Sequence, residues 1–211
     1  FSEACNGSPC EYGTFFDMVH SNNAARCRLW IKAKGLQNKI KTIVVRYADL
    51  KGKDFASVNP LMKVPAFITP DGTTIFESFV IMQYLEDAYG HEGIPTMLTN
   101  PTERAFVHLV VRCHDLYIAS PNCTQPGFSH TQGCMYLPSV PNAQISIDRC
   151  MDIKTRAAKL AELNKQLNWM EKECKFGPYL CGSQLTHADM TVFPTTVFME
   201  FMLPRVFGWS P

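Results

Sequence analysis

The sequence predicts an α/β half followed by an all-helical half, and two observations support this fold class. As far as about residue 90, apolar segments of strand and helix type alternate in the order strand, helix, strand, link, hairpin, helix. Beyond about residue 100, only helical periodicity remains. We therefore expect an irregular tail over 1–11, a mixed four-stranded sheet with helices over 12–90, a linker over 91–100, and a helical domain over 101–211.

The first β-α-β unit follows from local composition. Residues 14–20, TFFDMVH, are apolar with one polar break and predict a short buried strand. The helix that follows has an apolar face around Trp30 and ends at Gly35. Residues 41–47, KTIVVRY, carry the β-branched run of a second strand.

A hairpin and a third helix complete the first half. The segments VPAFIT and TTIF flank the turn at residues 70–72, PDG, and predict two antiparallel strands. In SFVIMQYLEDAYG, apolar residues recur at i, i+3, i+4 and i+7 from Ile81, and Gly90 ends the helix.

The second half is predicted to contain long helices over residues 102–119 and 152–175. Between them, residues 120–146 are rich in proline, glycine, serine and asparagine, and a loop of this length is usually functional or disordered. The loop carries aromatic and sulfur side chains and His130, which favours an active-site lid over a plain surface loop.

Two polar pairs stand out in the helical half. Thr186 and Asp189 form the pattern of a capping box at the start of the last helix. His114 and Asp115 are adjacent in sequence and hence expected on different helical faces, which argues against a catalytic pair.

Charge and hydropathy exclude two classes of partner. Lysine and arginine total 20 against 19 acidic residues, so no broad basic field is available for nucleic acid. No apolar run approaches the roughly 20 residues that cross a bilayer, so no membrane span is expected.

Nine cysteines are an odd number without paired CxxC modules, so no metal site is expected. Cys27, Cys113 and Cys150 lie in helix-like apolar patterns typical of small buried hydrophobic residues. Two further pairs lie in loop-like sequence and could form disulfides in an oxidising compartment, namely Cys5 with Cys10 and Cys123 with Cys134.

Ser21 lies where the first strand passes into the first helix, and two interpretations of it remain open. Its hydroxyl is suited to an ordinary N-cap. The same position suits an activating group, because a helix N-terminus favours a thiolate and a serine hydroxyl there can donate a hydrogen bond to sulfur.

Pro65 precedes a predicted strand and is either a simple strand opener or a cis proline. In the cis form, the backbone N–H and C=O of Val64 would be free to pair with an extended peptide ligand.

Glu77 and Ser78 lie at the start of the third helix and could merely cap it. Glu77 could also be a solvent-exposed acidic residue of the first turn. Together they also suit a zwitterion, because the serine and the helix N-terminus would bind a carboxylate while the glutamate pairs with an ammonium group.

Four segments carry a family resemblance: SNNAARCRLWIKAKGL, NPLMKVPAF, TIFESFVIMQYLEDAYG and GSQLTHADMTVFP. In this order they resemble the cytosolic glutathione transferases, especially the omega-, zeta- and tau-like branches, from about Tyr12 to Phe207. The resemblance implies a thioredoxin-like N-terminal domain, an all-helical C-terminal domain, glutathione as cosubstrate and a small hydrophobic electrophile. It also implies a homodimer or a component of a larger complex, located in the cytoplasm or, after removal of a targeting peptide, in an organelle such as the plastid.

The resemblance also implies roles for individual residues. Ser21 occupies the family's activating position, which is serine in zeta- and tau-like members and cysteine in omega-like members. Conjugation or isomerisation is therefore favoured over thiol transfer. The implied glutathione-binding residues are Lys53, Val64 through its backbone, Pro65 as a cis proline, and Glu77 with Ser78 as the anchor of the γ-glutamyl group.

Two departures from the family keep other hypotheses open. The family normally continues past the position of Pro211 with further helices, and Asn22 and Asn23 replace a proline and an aromatic residue. The rival hypothesis is a non-catalytic scaffold or subunit of a larger assembly. A third is thiol-disulfide exchange at Cys10 or Cys27, which the position of Cys27 inside the first helix disfavours.

Overall fold

The computed structural model describes residues 11–119, 139–141, 143 and 150–207. By its internal contacts the chain divides into two units, of which the first comprises residues up to 98 together with 185–190. The second comprises the rest, 99–184 and 191–211. The boundary near residue 98 lies inside the segment predicted as a linker, whereas 185–190 had been expected in the helical domain.

A four-stranded mixed sheet organises the first unit. Its strands are β1 (Thr14–Asp17), β2 (Lys41–Val44), β3 (Ala66–Ile68) and β4 (Thr74–Phe76), in the order β2-β1-β3-β4. β1 pairs with β2 in parallel, while β3 is antiparallel to both β1 and β4. The predicted β-α-β unit and ββ hairpin are confirmed, and β1 ends earlier than expected because the chain turns after Asp17.

Three helices belong to the first unit: α1 (Asn22–Ala33), α2 (Lys53–Val58) and α3 (Ser78–Tyr89), with a short 3₁₀ turn at Tyr47–Asp49. α1 stops where predicted, because Gly35 takes a φ of +70° that a side chain would disfavour. Together with the sheet, these helices confirm a thioredoxin-like arrangement.

The sheet separates two apolar clusters because successive strand residues face opposite sides. Phe15 points into the larger cluster, where it meets Trp30 of α1 and Leu85 of α3. Phe16 points into the smaller cluster with Phe55 of α2. The predicted apolar faces of α1 and α3 are therefore the buried ones.

The second unit is mostly helical, as predicted. α4 (Pro101–Cys113) passes into a π-helical turn (His114–Ile118), and α5 spans Ile153–Glu173. The last helix, α6 (His187–Phe207), starts in the first unit and continues into the second. The expectation of one regular helix over 102–119 was wrong in detail, because the turn switches to i→i+5 bonding.

His114 and Asp115 contact each other although they had been expected on different helical faces, and that they are no catalytic pair stays a prediction. In the π-helical turn, His114 Nδ1 lies 3.0 Å from Asp115 Oδ1, and its Nε2 lies 2.8 Å from Thr195 Oγ1. Ala119 N–H donates to the His114 carbonyl across 2.7 Å, which is the i→i+5 hydrogen bond of the π-helical turn.

Thr186 and Asp189 interact at the start of α6, where the Asp189 carboxylate accepts the Thr186 N–H at 2.8 Å and its hydroxyl at 2.9 Å. Leu185 and Met190 lie in the larger apolar cluster of the first unit.

Among the described residues, every helix is too short or too polar to span a lipid bilayer.

Several predictions concern residues outside the described part of the chain. They are the tail up to residue 10, most of the 120–146 loop with His130, and the cysteine pairs Cys5–Cys10 and Cys123–Cys134.

Candidate glutathione site

Ser21 is the N-cap of α1, so the simpler of its two interpretations is confirmed. Its backbone is extended, with φ −86° and ψ 116°, and its Oγ accepts the Ala24 N–H at 3.1 Å. A serine hydroxyl has one proton and two lone pairs, so this cap leaves the proton available for another acceptor. The two interpretations of Ser21 are therefore compatible.

Arg28 holds the turn that leads into Ser21. Its Nη1 pairs with the Asp17 carboxylate and donates to the Met18 carbonyl at 3.1 Å, and Nη2 donates to the Val19 carbonyl at 3.2 Å. Arg28 lies in α1, whose helical periodicity gives no information about contacts with the preceding turn. Its role in the β1–α1 turn depends on contacts that periodicity does not reveal.

Asn59 organises the loop before Val64. The side chain is buried, its Nδ2 donates to the Lys63 carbonyl at 2.7 Å, and its Oδ1 accepts the Leu61 N–H at 2.9 Å. The Val64–Pro65 peptide bond that follows is cis, as the resemblance implied. Among the described residues, no hydrogen bond engages the backbone of Val64.

Glu77 lies beside Pro65. Ala66 pairs with Phe76 in the β3–β4 register, so one step beyond each strand places Pro65 next to Glu77. Glu77 has φ 71° and ψ 110°, a conformation that costs a non-glycine residue on the order of 1–3 kcal/mol. It is the N-cap of α3, yet its exposed side chain makes no capping hydrogen bond.

Ser78 is buried and accepts hydrogen bonds from a residue that the sequence analysis did not select. Arg26 donates to Ser78 Oγ from Nε at 2.8 Å and also from Nη2. Arg26 is itself buried, four residues before Trp30 on the same helical face. An arginine on an otherwise apolar face is an unusual sequence feature that could have drawn attention to it.

Lys53 is the first residue of α2 and is exposed. Within the described part of the chain its side chain has no hydrogen bond or ion pair, either with the other predicted site residues or with any other residue.

Cys27 is fully buried, and burial raises the pKa of its thiol to about 12. Its Sγ lies 3.6 Å from the Ser78 carbonyl oxygen, which accepts a weak hydrogen bond from it. A thiol with so high a pKa is not a nucleophile near neutrality, which argues against thiol-disulfide exchange at Cys27.

Glu86 joins the first and third helices near their C-terminal ends. Its carboxylate accepts from Trp30 Nε1 at 2.6 Å, Thr96 Oγ1 at 2.6 Å and His187 Nε2 at 3.1 Å, and it pairs with buried Lys34 at 3.5 Å. Burial alone would raise the pKa of Glu86, but these hydrogen bonds outweigh it and lower the pKa to about 2.

The fold and the arrangement of the first unit define a class of protein: a thioredoxin-like domain with a cis proline, followed by a mainly helical domain. Residues 11–87 match the family model for the glutathione S-transferase N-terminal domain, and residues 153–210 match that for the C-terminal domain. The chain belongs to the cytosolic glutathione transferase superfamily, whose members use glutathione as cosubstrate.

Individual relatives are distant. The chain is 26% identical over 168 residues to a glutathione S-transferase-like protein of Beauveria bassiana, covering 78% of this chain and 69% of that one. It is 32% identical over 107 residues to maleylacetoacetate isomerase of Mus musculus, covering 49% and 46%, so it spans less than half of that relative.

Solved structures resemble the fold over most of the chain. The crystal structure of glutathione transferase Omega 3C from Trametes versicolor matches with a TM-score of 0.71 at 20% identity. The match covers 99% of this chain and 76% of the other. At this identity, the likeness supports the fold alone.

Proposed function

We propose that this protein activates the thiol of glutathione at Ser21 and directs the thiolate at a small apolar electrophile. The observation that carries the proposal is the Ser21 hydroxyl, which caps α1 with its oxygen and keeps its proton available. A hydrogen bond from that proton and the positive end of α1 would both favour a thiolate over a thiol. Ser21 is the proposed catalytic residue.

The remaining proposed contacts hold the tripeptide at the end of the sheet where β3 begins and β4 ends. The unpaired backbone of Val64, beside cis Pro65, suits the cysteinyl part of an extended peptide. Ser78 suits the γ-glutamyl carboxylate, Glu77 the ammonium group, and Lys53 the carboxylate at the other end. Arg26 contacts Ser78 and lies five residues after Ser21, which is about 7.5 Å along α1. An extended tripeptide spans roughly 10 Å, so one ligand is long enough to contact both serines.

Two reactions are available to a bound thiolate. With an aryl halide, the sulfur forms a bond to carbon and halide leaves. With a conjugated cis double bond, the thiolate adds, the former double bond rotates and the thiolate is expelled, which restores glutathione. The mouse relative is named for an isomerisation, which supports including the second reaction in the proposal.

Replacing Ser21 by alanine tests the proposal directly. We expect Ser21→Ala to lower kcat/KM for conjugation of a generic aryl halide by about 10- to 100-fold, the range that a hydrogen bond to a charged group supplies. The pKa of bound glutathione, followed by thiolate absorbance, should rise by about 1–2 units.

Two further variants serve as controls. Ser21→Thr keeps a hydroxyl and should retain most activity, whereas Ser57→Ala removes a serine that only bonds the Asp54 carbonyl and should leave activity unchanged. Equal turnover in wild type and Ser21→Ala would overturn the role given to Ser21.

The scaffold hypothesis predicts that the wild-type protein neither binds immobilised glutathione nor conjugates it. Retention on immobilised glutathione, followed by elution with free glutathione, supports the binding function. A folded protein that neither binds the resin nor conjugates would favour a non-catalytic scaffold or subunit.

A further inference from the structure

The turn between β1 and α1 is not held in place by apolar packing. Val19 is 64% exposed, and His20 beside it is exposed as well. The first helical residue is Asn22, whereas a proline at that position would fix the backbone angle φ in advance. The conformation of the turn, and with it the direction of the Ser21 hydroxyl, therefore depends on hydrogen bonds.

Those hydrogen bonds converge on Arg28, which lies seven residues after Ser21 on α1. The Met18 carbonyl accepts the Ser21 N–H at 2.9 Å and Arg28 Nη1 at 3.1 Å, which together use both of its lone pairs. The next carbonyl, that of Val19, accepts from Arg28 Nη2 at 3.2 Å. The planar guanidinium thus bridges two successive carbonyls of the turn.

Asp17 fixes the position of this guanidinium. Asp17 is the last residue of β1, and its carbonyl accepts the Val45 N–H at 2.7 Å, which ties it to the neighbouring strand. Its carboxylate is 5% exposed and pairs with Arg28 Nη1. A continuous set of contacts therefore runs from the sheet through Asp17 and Arg28 to the residue that caps α1.

The same contacts reduce negative charge close to Ser21. The Met18 carbonyl oxygen lies 2.9 Å from the Ser21 nitrogen, so its partial negative charge is near the proposed thiolate. The Arg28 N–H that this oxygen accepts offsets that charge. The first turn of α1 contains no acidic residue, so nothing there opposes the effect of the helix N-terminus.

We propose that Arg28 is a positioning residue for Ser21, because it holds the β1–α1 turn in the conformation that aims the serine proton at the sulfur of glutathione. The inference rests on the proposed function of Ser21. Arg28 acts through the Met18 and Val19 carbonyls and needs no contact with either substrate.

Replacing Arg28 by lysine separates its shape from its charge. Lysine keeps a positive charge for Asp17 but cannot present a planar pair of N–H groups to two carbonyls. We expect Arg28→Lys to lower kcat for conjugation by about 3- to 10-fold, the range of one net hydrogen bond. The pKa of bound glutathione, measured by thiolate absorbance and the pH–rate profile, should rise by about 0.5–1 unit. The KM for glutathione should change by less than about twofold, because the proposed binding contacts lie elsewhere.

A second variant removes both charges of the pair. Asp17→Asn combined with Arg28→Gln leaves no buried carboxylate without its counter-ion, and it should lower kcat at least as much as Arg28→Lys. In the Ser21→Ala background, Arg28→Lys should have little further effect, because no hydroxyl remains to be aimed. Lys32→Gln removes an exposed charge one turn further along α1 and should behave like wild type.

The other outcomes overturn the inference. If Ser21→Ala is impaired but folded Arg28→Lys keeps the kcat and thiol pKa of wild type, the inference fails and the proposed function stands. An equal loss from Arg28→Lys with and without Ser21 also overturns it, since Arg28 would then act independently of the serine. If neither Arg28 variant folds, hydrogen exchange of wild type decides, because an unprotected Ser21 N–H would show that the turn is not fixed. Equal activity of Ser21→Ala and wild type overturns the proposed function and the inference together.

Discussion

The starts of α1 and α3 present two serines in opposite ways. At α1, the Ser21 oxygen accepts from its own helix, through the Ala24 N–H. At α3, the Ser78 oxygen accepts from Arg26 of another helix, and the N-cap Glu77 makes no capping bond and has a positive φ. The first start is satisfied locally, whereas the second depends on tertiary contacts and carries backbone strain.

This difference fits the two proposed tasks. A thiolate is stabilised by a single hydrogen-bond donor at the N-terminus of a helix. The Ser21 hydroxyl is such a donor, because it caps α1 with its oxygen and keeps its proton. A zwitterionic head group needs several oriented groups of opposite charge, and these come from different elements of the fold. Strain at Glu77 is consistent with a backbone held in place for binding rather than for stability.

The largest expected effect concerns Glu86, which joins the two helices through Trp30 and Lys34. Glu86→Gln should lower the free energy of unfolding at neutral pH by about 3 kcal/mol, because it leaves Lys34 buried without its counter-ion. The folded-state pKa of about 2 lies below the ordinary value of 4.5, so the contribution is present above pH 4.5 and is lost as the pH falls toward 2.

Denaturant titrations monitored by tryptophan fluorescence at several pH values check this expectation. The wild-type and Glu86→Gln curves should converge near pH 2. Glu92→Gln, which removes a carboxylate paired with Lys39 near the surface, should cost much less. A constant difference between wild type and Glu86→Gln from pH 7 to pH 2 would contradict the assignment.

An intermediate effect is expected at Glu77, with stability and binding moving in opposite directions. Glu77→Gly should stabilise the fold by about 1 kcal/mol, because glycine adopts a positive φ without a steric penalty. Its affinity for glutathione should fall by about three- to fivefold, since the partner of the ammonium group is lost.

Glu77→Ala separates the two effects, because it removes the carboxylate but keeps a Cβ at the strained position. It should bind glutathione as weakly as Glu77→Gly while gaining no stability in thermal denaturation. A stability gain of equal size in both variants would refute the attribution to φ.

The smallest effect is expected at Lys53, which is exposed and, among the described residues, makes no hydrogen bond or ion pair with either helix start. Lys53→Gln should weaken glutathione binding by about two- to threefold at low salt, as for a solvent-exposed charge pair. The difference should shrink as ionic strength rises. Lys51→Gln, at a neighbouring exposed lysine, serves as the control and should bind like wild type.

Local sequence predicted the elements well wherever one pattern dominated. The hairpin at residues 70–72, the stop at Gly35 and the face of α3 around Ile81 are all confirmed, because turn chemistry and periodicity act over a few residues. The π-helical turn at His114–Ile118 was missed, since the helical pattern of residues 102–119 carries no signal for a change in bonding.

The candidate site was only partly accessible to sequence reasoning. Ser21 and Ser78 were identified because each lies at a helix start, and cis Pro65 followed from family resemblance. Arg26 and Asn59 were not identified, because their partners lie on other elements or in a loop whose path depends on tertiary packing.

By itself, the sequence determined the order of strands and helices, the serine at the start of α1 and the family. The elements and the serine position depend on short-range propensities, and the family is recognised from short sequence segments. The tertiary structure decided that Arg26 meets Ser78, that Glu86 joins α1 to α3, and that residues 185–190 belong with the first unit. Contacts between residues 52 or more positions apart are set by how the helices pack on the sheet, and no local pattern encodes them.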